Sequence, residues 1–458
     1  MNFKYKEDTI AAIATPAGIG AISIIRVSGN KALNLLKNNF ISNKKIEDVD
    51  SHTIIYGKIK DNSNNIIDDV LISVFKKPKS YTGEDTIEIS THGSPFIQKQ
   101  ILKLLLENGA RIAKPGEFTE RAFLNGKMDL TQAEAVIDII NSRTEVSLRG
   151  ARNQFNGELS KKIQYFRDSL KNLLSLLELE LDFVEEDLQF VPYNDLILKC
   201  QEVINEIDKL LLTYRFGKIV KDGVNVAIIG KPNVGKSSLL NLLAKDSIAI
   251  VSDIPGTTRD IIKEEISING ILYKFFDTAG IRETNNLIEA EGIKRTIKAI
   301  HNADIILFLS DDDNFNLSEI HPELDENDLS KKIIKVRNKA DLIKEKIDNP
   351  SNFSEIIYIS VIEQFGIDNL LEILNKTTLD SNIYTEETAI ITSERHYQAL
   401  VRSKENLLKA IDSMKNNFSG EYIAIDLRLA LDSMSEIIGV ITSEDILNNI
   451  FSKFCIGK

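Results

Sequence analysis

The sequence is poor in the residues that build disulfide frameworks and zinc sites. It contains two cysteines, Cys200 and Cys455, and five histidines in 458 residues. Two cysteines so far apart argue against a disulfide framework and fit a reducing cytosol. With so few histidines and cysteines, a Cys/His zinc cluster is not available. We therefore expect a cytoplasmic protein without a structural zinc site.

The sequence also lacks membrane and targeting signals. No apolar run is long enough to span a bilayer, and the opening MNFKYKEDTI has no apolar core of a secretory signal. The net charge is −12, so the charge of the chain as a whole does not indicate nucleic-acid binding. A local basic face could still bind RNA. We expect no contact with membranes.

The length predicts two or three domains, because one hydrophobic core does not grow to this size. Short strand-like runs with turns fill the start of the chain, helical patterns follow, and strands then alternate with helices before helical patterns return. We predict an α+β domain in residues 1–123. A helical domain is split between residues 124–217 and 380–458, and an α/β P-loop domain, residues 218–379, is inserted between its halves.

Two segments carry clear helix signals. Thr131 and Glu134 have the spacing of a capping box ahead of an apolar-periodic run, which predicts a helix start at this point. The segment SERHYQALVRSKENLLKAI, which begins at Ser393, has helical apolar spacing. Both segments belong to the predicted helical domain.

A phosphate-binding loop is the strongest signal in the sequence. The apolar run Val224 to Ile229 leads into Gly230-x4-Gly235-Lys236-Ser237, and a helical pattern follows. Glycines let the backbone approach phosphates closely, and the loop and helix N-terminus supply N–H groups. Lys236 is expected to reach the β- and γ-phosphates, and the Ser237 hydroxyl to bind Mg²⁺.

The nucleotide base is indicated by VRNKAD. Asn338, Lys339 and Asp341 follow an apolar run, and ligand loops lie at the carboxyl ends of strands in open α/β sheets. The Asp341 carboxylate can accept both N–H donors on the edge of guanine, which adenine lacks. In the following IIYISVIEQFG, Ser360 stands where a guanine-supporting loop is expected. The sequence therefore predicts GTP as the ligand.

Between these motifs lie two candidate switch segments. FFDTAGIR places Asp277 at a strand end, where it would hold the Mg²⁺ shell, with Gly280 near the γ-phosphate. PGTTRD supplies Thr258 for Mg²⁺, or Thr257 as the second choice. The residues assigned to GTP are Asn233, Val234, Gly235, Lys236, Ser237, Ser238, Ser252, Thr257, Thr258, Asp277, Thr278, Ala279, Gly280, Asn338, Lys339, Asp341 and Ser360.

The usual water-orienting glutamine is absent. Ras-like GTPases carry it just after the switch-II glycine, but Ile281 stands there. Glu289 is a candidate for positioning the water, beside Lys236 as the other catalytic residue. The charge that hydrolysis requires could come from a monovalent cation at Asn233 and the carbonyl oxygens of Ser252 and Ile254. An arginine finger, Arg259 or Arg282, is the alternative.

At these residues the chain resembles the tRNA modification GTPase family known as MnmE or TrmE, and the resemblance covers the whole chain. GKPNVGKSS, PGTTRD, DTAGIR and NKAD would fit several bacterial GTPases. The specific segments are DTIAAIATPAGIGAISIIRVSG, YTGEDTIEISTHG, KPGEFTERAFLNGKMDLTQAEAV and the terminal FCIGK.

The resemblance implies ligands that the motifs alone do not indicate. It implies an N-terminal domain similar to folate-dependent one-carbon enzymes, which dimerises and binds a tetrahydrofolate derivative, 5,10-methylene or 5-formyl. By alignment, Arg26, Glu88, Lys127 and Lys458 match the family's folate contacts. Asn233 matches the family's K⁺ ligand, and Glu289 matches its water-positioning glutamate. We assign K⁺ to Asn233, Ser252, Ile254 and Thr257, and Mg²⁺ to Ser237 and Thr258. We expect Cys455 to be a buried thiol in an ordered tail.

The resemblance also implies a reaction. Family members work with an FAD-containing subunit and add an aminomethyl or carboxymethylaminomethyl group to carbon 5 of the wobble uridine of certain tRNAs. K⁺-activated GTP hydrolysis lets two G domains meet across the homodimer. Two alternatives are a non-catalytic GTPase switch on the ribosome or RNA, and an independent folate enzyme with a fused regulator. The roughly 200 residues ahead of the P-loop disfavour the switch, which has no need of a folate pocket.

Overall fold

The protein is described by a computed structural model. It covers residues 8–182, 192–246, 264–277, 300–315, 332–343, 356–378 and 389–458. The chain divides into two compact units. The first comprises residues 1–137 and 431–458, and the second comprises residues 138–430.

The described residues form strands and helices in both units. The strands are β1 (Ile10–Ile13), β2 (Ile22–Ser28), β3 (Phe40–Ile41), β4 (Thr53–Lys60), β5 (Ile66–Phe75), β6 (Thr86–His92), β7 (Arg111–Ile112), β8 (Val224–Ile229), β9 (Glu264–Ile268), β10 (Ile271–Asp277), β11 (Ile305–Ser310), β12 (Lys332–Arg337) and β13 (Ile357–Tyr358). The helices are α1 (Pro95–Glu107), α2 (Glu117–Leu124), α3 (Leu130–Asn141), α4 (Glu145–Phe155), α5 (Glu158–Asp182), α6 (Tyr193–Leu212), α7 (Tyr214–Asp222), α8 (Lys236–Asp246), α9 (Ile367–Thr378), α10 (Glu394–Lys415), α11 (Gly420–Ile438) and α12 (Glu444–Phe451).

A seven-stranded sheet in the order β3-β4-β5-β6-β2-β1-β7 forms the base of the first unit. Neighbouring strands are antiparallel, except that β7 pairs in parallel with β1. Alternation along β5 turns Val70, Ile72 and Val74 to one buried face. They share an apolar core with Ile101 and Leu105 of α1, so this helix covers one face of the sheet.

The other face of the same sheet carries polar and exposed side chains. The strand register places Ile54, Ser73, Glu88 and Arg26 in one row across β4, β5, β6 and β2. A second small core around Phe118 of α2 lies at the β1 end of the unit. At the β4 end, by contrast, Ile54 is 65% exposed. This face is therefore covered near Phe118 and open at Ile54.

The start of α3 differs from the predicted capping box. Asp129 Oδ1 accepts from the Gln132 N–H at 2.9 Å, and Gln132 Oε1 accepts from the Asp129 N–H at 3.0 Å. The capping pair is thus two residues earlier than predicted. Thr131 is fully buried inside the helix, where its hydroxyl donates to Asp129 Oδ1. The prediction of Thr131 and Glu134 was wrong because aspartate is as good an N-cap as threonine.

The second unit contains a six-stranded sheet in the order β13-β12-β11-β8-β10-β9. Its strands pair in parallel, except for the β9–β10 hairpin. Every residue of β11, IILFLS, is buried, as expected for a parallel strand covered on both faces. Because the strands are parallel, β8, β10, β11 and β12 end at one edge of the sheet, where ligands bind in open α/β folds.

Helical segments precede and follow this sheet in the sequence. Helix α6 packs against α10, and α4 packs against α5 and α7. Cys200 on α6 is fully buried, and burial raises the pKa of its thiol to about 12. Among the helices that the structure describes, none combines the length and apolar character of a membrane span. The predicted fold class, an α+β domain, a helical domain and a P-loop α/β domain, is confirmed.

Candidate nucleotide and anion sites

The loop between β8 and α8 has the backbone geometry of a phosphate cradle. Gly230 and Gly235 have φ of 149° and 99°, in the region that favours glycine. A Cβ on Gly230 would lie 2.1 Å from the Leu309 oxygen, and one on Gly235 would lie 2.2 Å from Asn338 Nδ2. Both glycines are therefore required by close approach as well as by φ.

Lys236 begins α8 and lies across this loop. Its side chain is buried, with the residue 6% exposed, and Nζ donates to the carbonyl oxygens of Gly230 at 2.6 Å and Lys231 at 2.7 Å. The ammonium therefore sits over the loop rather than in solvent. The next residues, Ser237 and Ser238, are exposed at the first turn of the helix, where N–H groups favour anions.

Asn338 connects the predicted base-recognition motif to the phosphate loop. Its Nδ2 donates to the Val234 oxygen at 2.9 Å, and its Oδ1 accepts from the Val361 N–H at 3.3 Å. The asparagine is buried. The Asn338 side chain thus joins three loops at the same edge of the sheet, although Val234 and Asn338 are more than 100 positions apart in the sequence.

Asp341 is an exposed carboxylate at this edge. Ser360 Oγ, which is buried, donates to Asp341 Oδ1 at 2.6 Å and accepts from the Glu363 N–H at 3.2 Å. The Ser360 loop is closed by reciprocal backbone bonds with Phe365. Asp341 is therefore oriented by Ser360, and its exposed carboxylate is suited to accept from N–H donors on a base.

Lys339 has a second role beside the base motif. Its φ is 61°, and its ammonium bonds to Asp311 Oδ2 at 2.8 Å. That hydrogen bond holds the pKa of the Asp311 carboxyl below its ordinary value. The side chain is thus anchored to the loop after β11, and sequence analysis gave no sign of this partner.

Several predicted residues of this site lie outside the described residues. These are Ser252, Ile254, Thr257, Thr258, Thr278, Ala279, Gly280 and Glu289, together with Arg259 and Arg282. Asp277 is the last residue of β10 and is the register partner of Ile228 on β8. Its backbone therefore stands next to the strand that leads into the phosphate loop. Asn233, in that loop, is exposed and has φ 63°.

Arg26 is the centre of a second site, in the first unit. Its Nε donates to Glu88 Oε1 at 2.9 Å, across the β2–β6 register. The guanidinium carbon lies 5.4 Å from the ring centre of Tyr81 and 5.6 Å from that of Phe118, a cation–π arrangement. The side chain is 14% exposed, so this cation is held in place by aromatic rings and a carboxylate.

The tail of the chain completes the Arg26 site. Arg26 Nη1 donates to the Gly457 oxygen at 3.2 Å, and the Phe118 N–H donates to the Lys458 main-chain oxygen at 3.3 Å. Gly457 has φ 100°, and a Cβ there would lie 2.5 Å from the Ile13 oxygen. Burial, with a further effect from Arg26, holds the pKa of the Lys458 ammonium below its ordinary value.

The structure brings three of the four predicted folate residues together. Arg26, Glu88 and Lys458 lie in this cluster, whereas the ammonium of Lys127 donates to the Pro78 oxygen at 3.1 Å. Cys455 is exposed, so the expectation of a buried thiol was wrong. Phe454 takes the buried position instead, at 5% exposure, and packs against Phe451 and Leu130.

A buried charge network supports this unit, and sequence analysis missed it. Arg121 of α2 is 4% exposed and bonds to Asp8, Glu84 and Glu117. Burial alone would raise the pKa of the Asp8 and Glu117 carboxyls, but hydrogen bonds from Arg111 and Arg121 outweigh it and lower both. The i,i+4 spacing of Glu117 and Arg121 was the one available signal.

Comparison with known proteins identifies the family. A family model described as the MnmE helical domain matches residues 130–455, and one described as the GTP-binding protein TrmE N-terminus matches residues 9–127. A protein of Flavobacterium psychrophilum named tRNA modification GTPase MnmE is 43% identical over 98% of this chain and 99% of its own. The same name is given to a protein of Cytophaga hutchinsonii, which is 44% identical over 98% of both chains.

Among solved structures, a variant of Era from Aquifex aeolicus bound to GDP·AlF4− aligns with 27% identity over 40% of this chain and 66% of that chain, at a TM-score of 0.27. The assignment rests on the two family models and on the relatives that match from end to end. The chain belongs to the MnmE family of tRNA modification GTPases.

Proposed function

We propose that the protein is a K⁺-activated GTP hydrolase of the cytoplasm that works with an FAD-containing partner subunit. Together they add an aminomethyl or carboxymethylaminomethyl group to carbon 5 of the wobble uridine of certain tRNAs. The name of its full-length relatives, tRNA modification GTPase MnmE, supports this activity. The segments 1–123, 124–217, 218–379 and 380–458 remain our proposed domains.

The observation that carries the proposal is the convergence of three loops on Asn338. Its side chain bonds to Val234 in the phosphate loop and to Val361 beside Ser360. This places a phosphate cradle and the Asp341 carboxylate at one edge of the sheet. A nucleotide bound there would have its phosphates at Lys236 and a guanine edge at Asp341, because an adenine edge would leave that carboxylate unpaired.

The donor set at the first turn of α8 fits Mg²⁺. Mg²⁺ takes oxygen ligands together with phosphate oxygens and water. Ser237 offers an exposed hydroxyl beside the phosphate loop, and we assign Thr258 as the second protein ligand. Asp277, at the end of the neighbouring strand β10, would hold the outer shell. When bound, the ion neutralises charge on the phosphates.

Asn233 is our proposed K⁺ ligand, with Ser252, Ile254 and Thr257. The asparagine is exposed in the phosphate loop, so its side-chain oxygen is accessible to a cation beside the phosphates. A monovalent cation there would supply the positive charge that an arginine finger supplies in other GTPases. Glu289 would position the attacking water, since Ile281 cannot.

The Arg26 site fits a folate derivative in its charge pattern. Arg26 and Lys458 offer two cations for the glutamyl carboxylates, and Glu88 offers a carboxylate for ring N–H donors. The glycine at position 457 lets the tail pass close to β1, so that Lys458 reaches this cluster. Lys127, which bonds to Pro78, would have to change partner to join these residues.

The first unit also presents a face suited to a homodimer. On the sheet face that carries Arg26 and Glu88, Ile54 is 65% exposed, Tyr56 63% and Leu71 45%. Tyr56 and Leu71 are register partners on adjacent strands, so these residues form one apolar patch. We propose that a second copy covers this patch, in line with dimerisation through the N-terminal domain.

The test is GTP hydrolysis and uridine modification by the full chain with its FAD-containing partner, in K⁺ and in Na⁺ at equal ionic strength. We expect hydrolysis to fall by about tenfold or more in Na⁺, because a fixed charge at the phosphates is lost. Glu289→Ala should reduce hydrolysis by about 100-fold or more, and modification with it.

The matched control is Glu291→Ala, which removes a carboxylate two residues away and should leave both rates unchanged. Equal hydrolysis by the Glu289→Ala variant and the parent protein would remove the proposed role of Glu289. Equal rates in K⁺ and Na⁺ would refute K⁺ activation.

A further inference from the structure

A groove runs between α5 and α6 in the second unit, and none of its lining residues belongs to the nucleotide site. These helices pack side by side, and the groove between them has a volume of about 590 Å³. Its lining comes from the first half of α5 and from residues 199–209 of α6. It includes Lys161, Lys162, Tyr165, Phe166, Lys199 and Lys209.

The groove is positively charged in an acidic protein. Four lysines and two glutamates, Glu202 and Glu206, line it, and with Glu158, the partner of Lys161, the local net charge is +1, whereas the whole chain carries −12. Three of the lysines pair with a glutamate three positions away on their own helix. Such exposed pairs contribute little, so a phosphate can replace the glutamate as the partner of each ammonium.

The fourth lysine, Lys162, is directed to the same place. It forms no ion pair within the part of the chain that the structure describes. It acts on Glu206 across the groove, because Lys209 and then Lys162 lower the pKa of that carboxyl. The groove thus has one ammonium whose charge is not matched by a close carboxylate.

Among the aromatic side chains that line the groove, the ring of Tyr165 is exposed. Phe166 and Val203 are already buried, at 2% and 3% exposure. Tyr165 is 60% exposed, so its ring is available to a planar partner. Ammonium groups around an exposed aromatic ring are the pattern that binds single-stranded nucleic acid.

We propose that this groove binds an RNA segment, with phosphates on the lysines and one unstacked base on Tyr165. The inference rests on the proposed function, since it names the surface through which a tRNA contacts this chain. It also gives the acidic chain the local basic face that RNA binding requires. The occupant is a nucleic acid rather than an acidic protein helix because the exposed features are charges and one ring.

The first test is the affinity of the full chain for an unmodified tRNA transcript whose anticodon begins with uridine, at several salt concentrations. The variant carries Lys161→Gln, Lys199→Gln and Lys209→Gln. We expect about a tenfold or larger loss of affinity, and a salt dependence reduced by about 2 in the slope of log K against log salt.

The matched control carries Lys37→Gln, Lys103→Gln and Lys376→Gln. These lysines are also exposed and also pair with glutamates, so the control loses the same charge and the same kind of ion pair. It should keep the affinity and the salt slope of the parent protein. Equal losses in both variants would mean that net charge alone governs RNA binding, and would overturn the proposal.

Tyr165 separates stacking from charge. Tyr165→Ala should weaken tRNA binding by about tenfold with the salt slope unchanged, and Tyr165→Phe should restore affinity because the ring remains. No effect of Tyr165→Ala would refute the stacked base. If the lysine variant keeps its tRNA affinity but no longer associates with the FAD-containing subunit, the groove is a protein-docking face and the proposal is wrong.

The outcome is distinguishable from failure of the proposed function. GTP hydrolysis in K⁺ is measured on the same variants and should stay at the level of the parent protein, since none of the changed residues lies at the nucleotide site. A parent chain that modifies tRNA with its partner but has no tRNA affinity of its own would overturn this inference alone.

Discussion

Lys236 and Arg26 are both largely buried cations that donate to main-chain oxygens, yet the chain assembles their surroundings differently. The two carbonyl oxygens that accept from Lys236 are five and six residues away, within one loop. The partners of Arg26 are Glu88, 62 residues away, and Gly457, 431 residues away. The Lys236 ammonium is therefore held by contacts within its own loop, although Asn338 joins that loop to the base motif, whereas the Arg26 site exists only after a sheet has paired in register and the tail has packed against it.

This difference predicts how each site responds to change. The phosphate loop depends on its own glycines and on its contact with Asn338, and its N–H groups favour an anion. A site built from distant segments depends on the packing that brings them together. Substitutions that remove only packing or charge networks should therefore affect the Arg26 site and leave the nucleotide site intact.

The largest effect is expected for Asp341→Ala at the nucleotide site. It would remove the two charge-assisted hydrogen bonds that we propose between Asp341 and guanine, each worth about 1.5–3 kcal/mol. GTP affinity should fall roughly 100-fold or more, with folate binding in the first unit unchanged. Titration calorimetry with a GTP analogue and with 5-formyl-tetrahydrofolate measures both.

The control for this prediction is Asp368→Ala, which removes an exposed aspartate from the first turn of α9. GTP affinity should stay within about twofold of the parent, as for most surface substitutions. If Asp341→Ala also keeps its affinity, Asp341 does not contact the base, and the preference for guanine has another source.

The next largest effect is expected for Arg121→Met in the first unit. Removing this buried guanidinium takes one ion-pair partner from each of Asp8, Glu84 and Glu117, which should destabilise the unit by about 3–5 kcal/mol. Hydrogen exchange of peptides from β1 and β2 should accelerate, with exchange in β8 and β11 unchanged.

The milder control is Arg111→Met. The Arg111 side chain is 40% exposed, so the expected loss of unfolding free energy is about 1–2 kcal/mol.

The same network gives a pH dependence of known sign. The pKa values of Asp8 and Glu117 are lower in the folded protein than in the unfolded chain. Their stabilisation is therefore complete above about pH 4–5, the ordinary range of these groups, and is lost as the pH falls through the folded values. Arg121→Met should flatten this acid dependence, and an unchanged acid profile would contradict the assignment.

The sequence was sufficient to predict features formed by neighbouring residues, but not contacts between residues that lie far apart in the chain. The strand Val224–Ile229 and the loop after it followed from apolar patterning and glycine spacing, and parallel pairing then placed Asp341 at the same edge. Nothing local in the sequence relates Arg26 to Gly457, because their contact depends on antiparallel register and on the packing of Phe454. Resemblance to a family supplied Arg26, Glu88 and Lys458, but not the Arg121 network or the exposure of Cys455.

A smaller effect is expected when Gly457 and Lys458 are removed and the chain ends at Ile456. This change keeps the buried Phe454 but removes the main-chain oxygen that accepts from Arg26 and the Lys458 ammonium. One lost charged hydrogen bond is worth about 1.5–3 kcal/mol, so affinity for 5-formyl-tetrahydrofolate should fall by roughly 10- to 100-fold. GTP hydrolysis should not change. Undiminished folate affinity would show that the tail does not take part in the site.

The smallest effect is expected for Cys455→Ser, in the same tail. The thiol is exposed, and the contact of this residue with Lys458 is a backbone hydrogen bond at 3.3 Å that serine retains. Because neither packing nor the backbone changes, stability should shift by less than about 0.5 kcal/mol, with folate affinity within about twofold of the parent. Uridine modification with the FAD-containing partner should also proceed at the parent rate. A variant that binds folate and hydrolyses GTP normally but fails in modification would instead give the exposed thiol a chemical role, and would make this tail a reactive segment as well as a structural one.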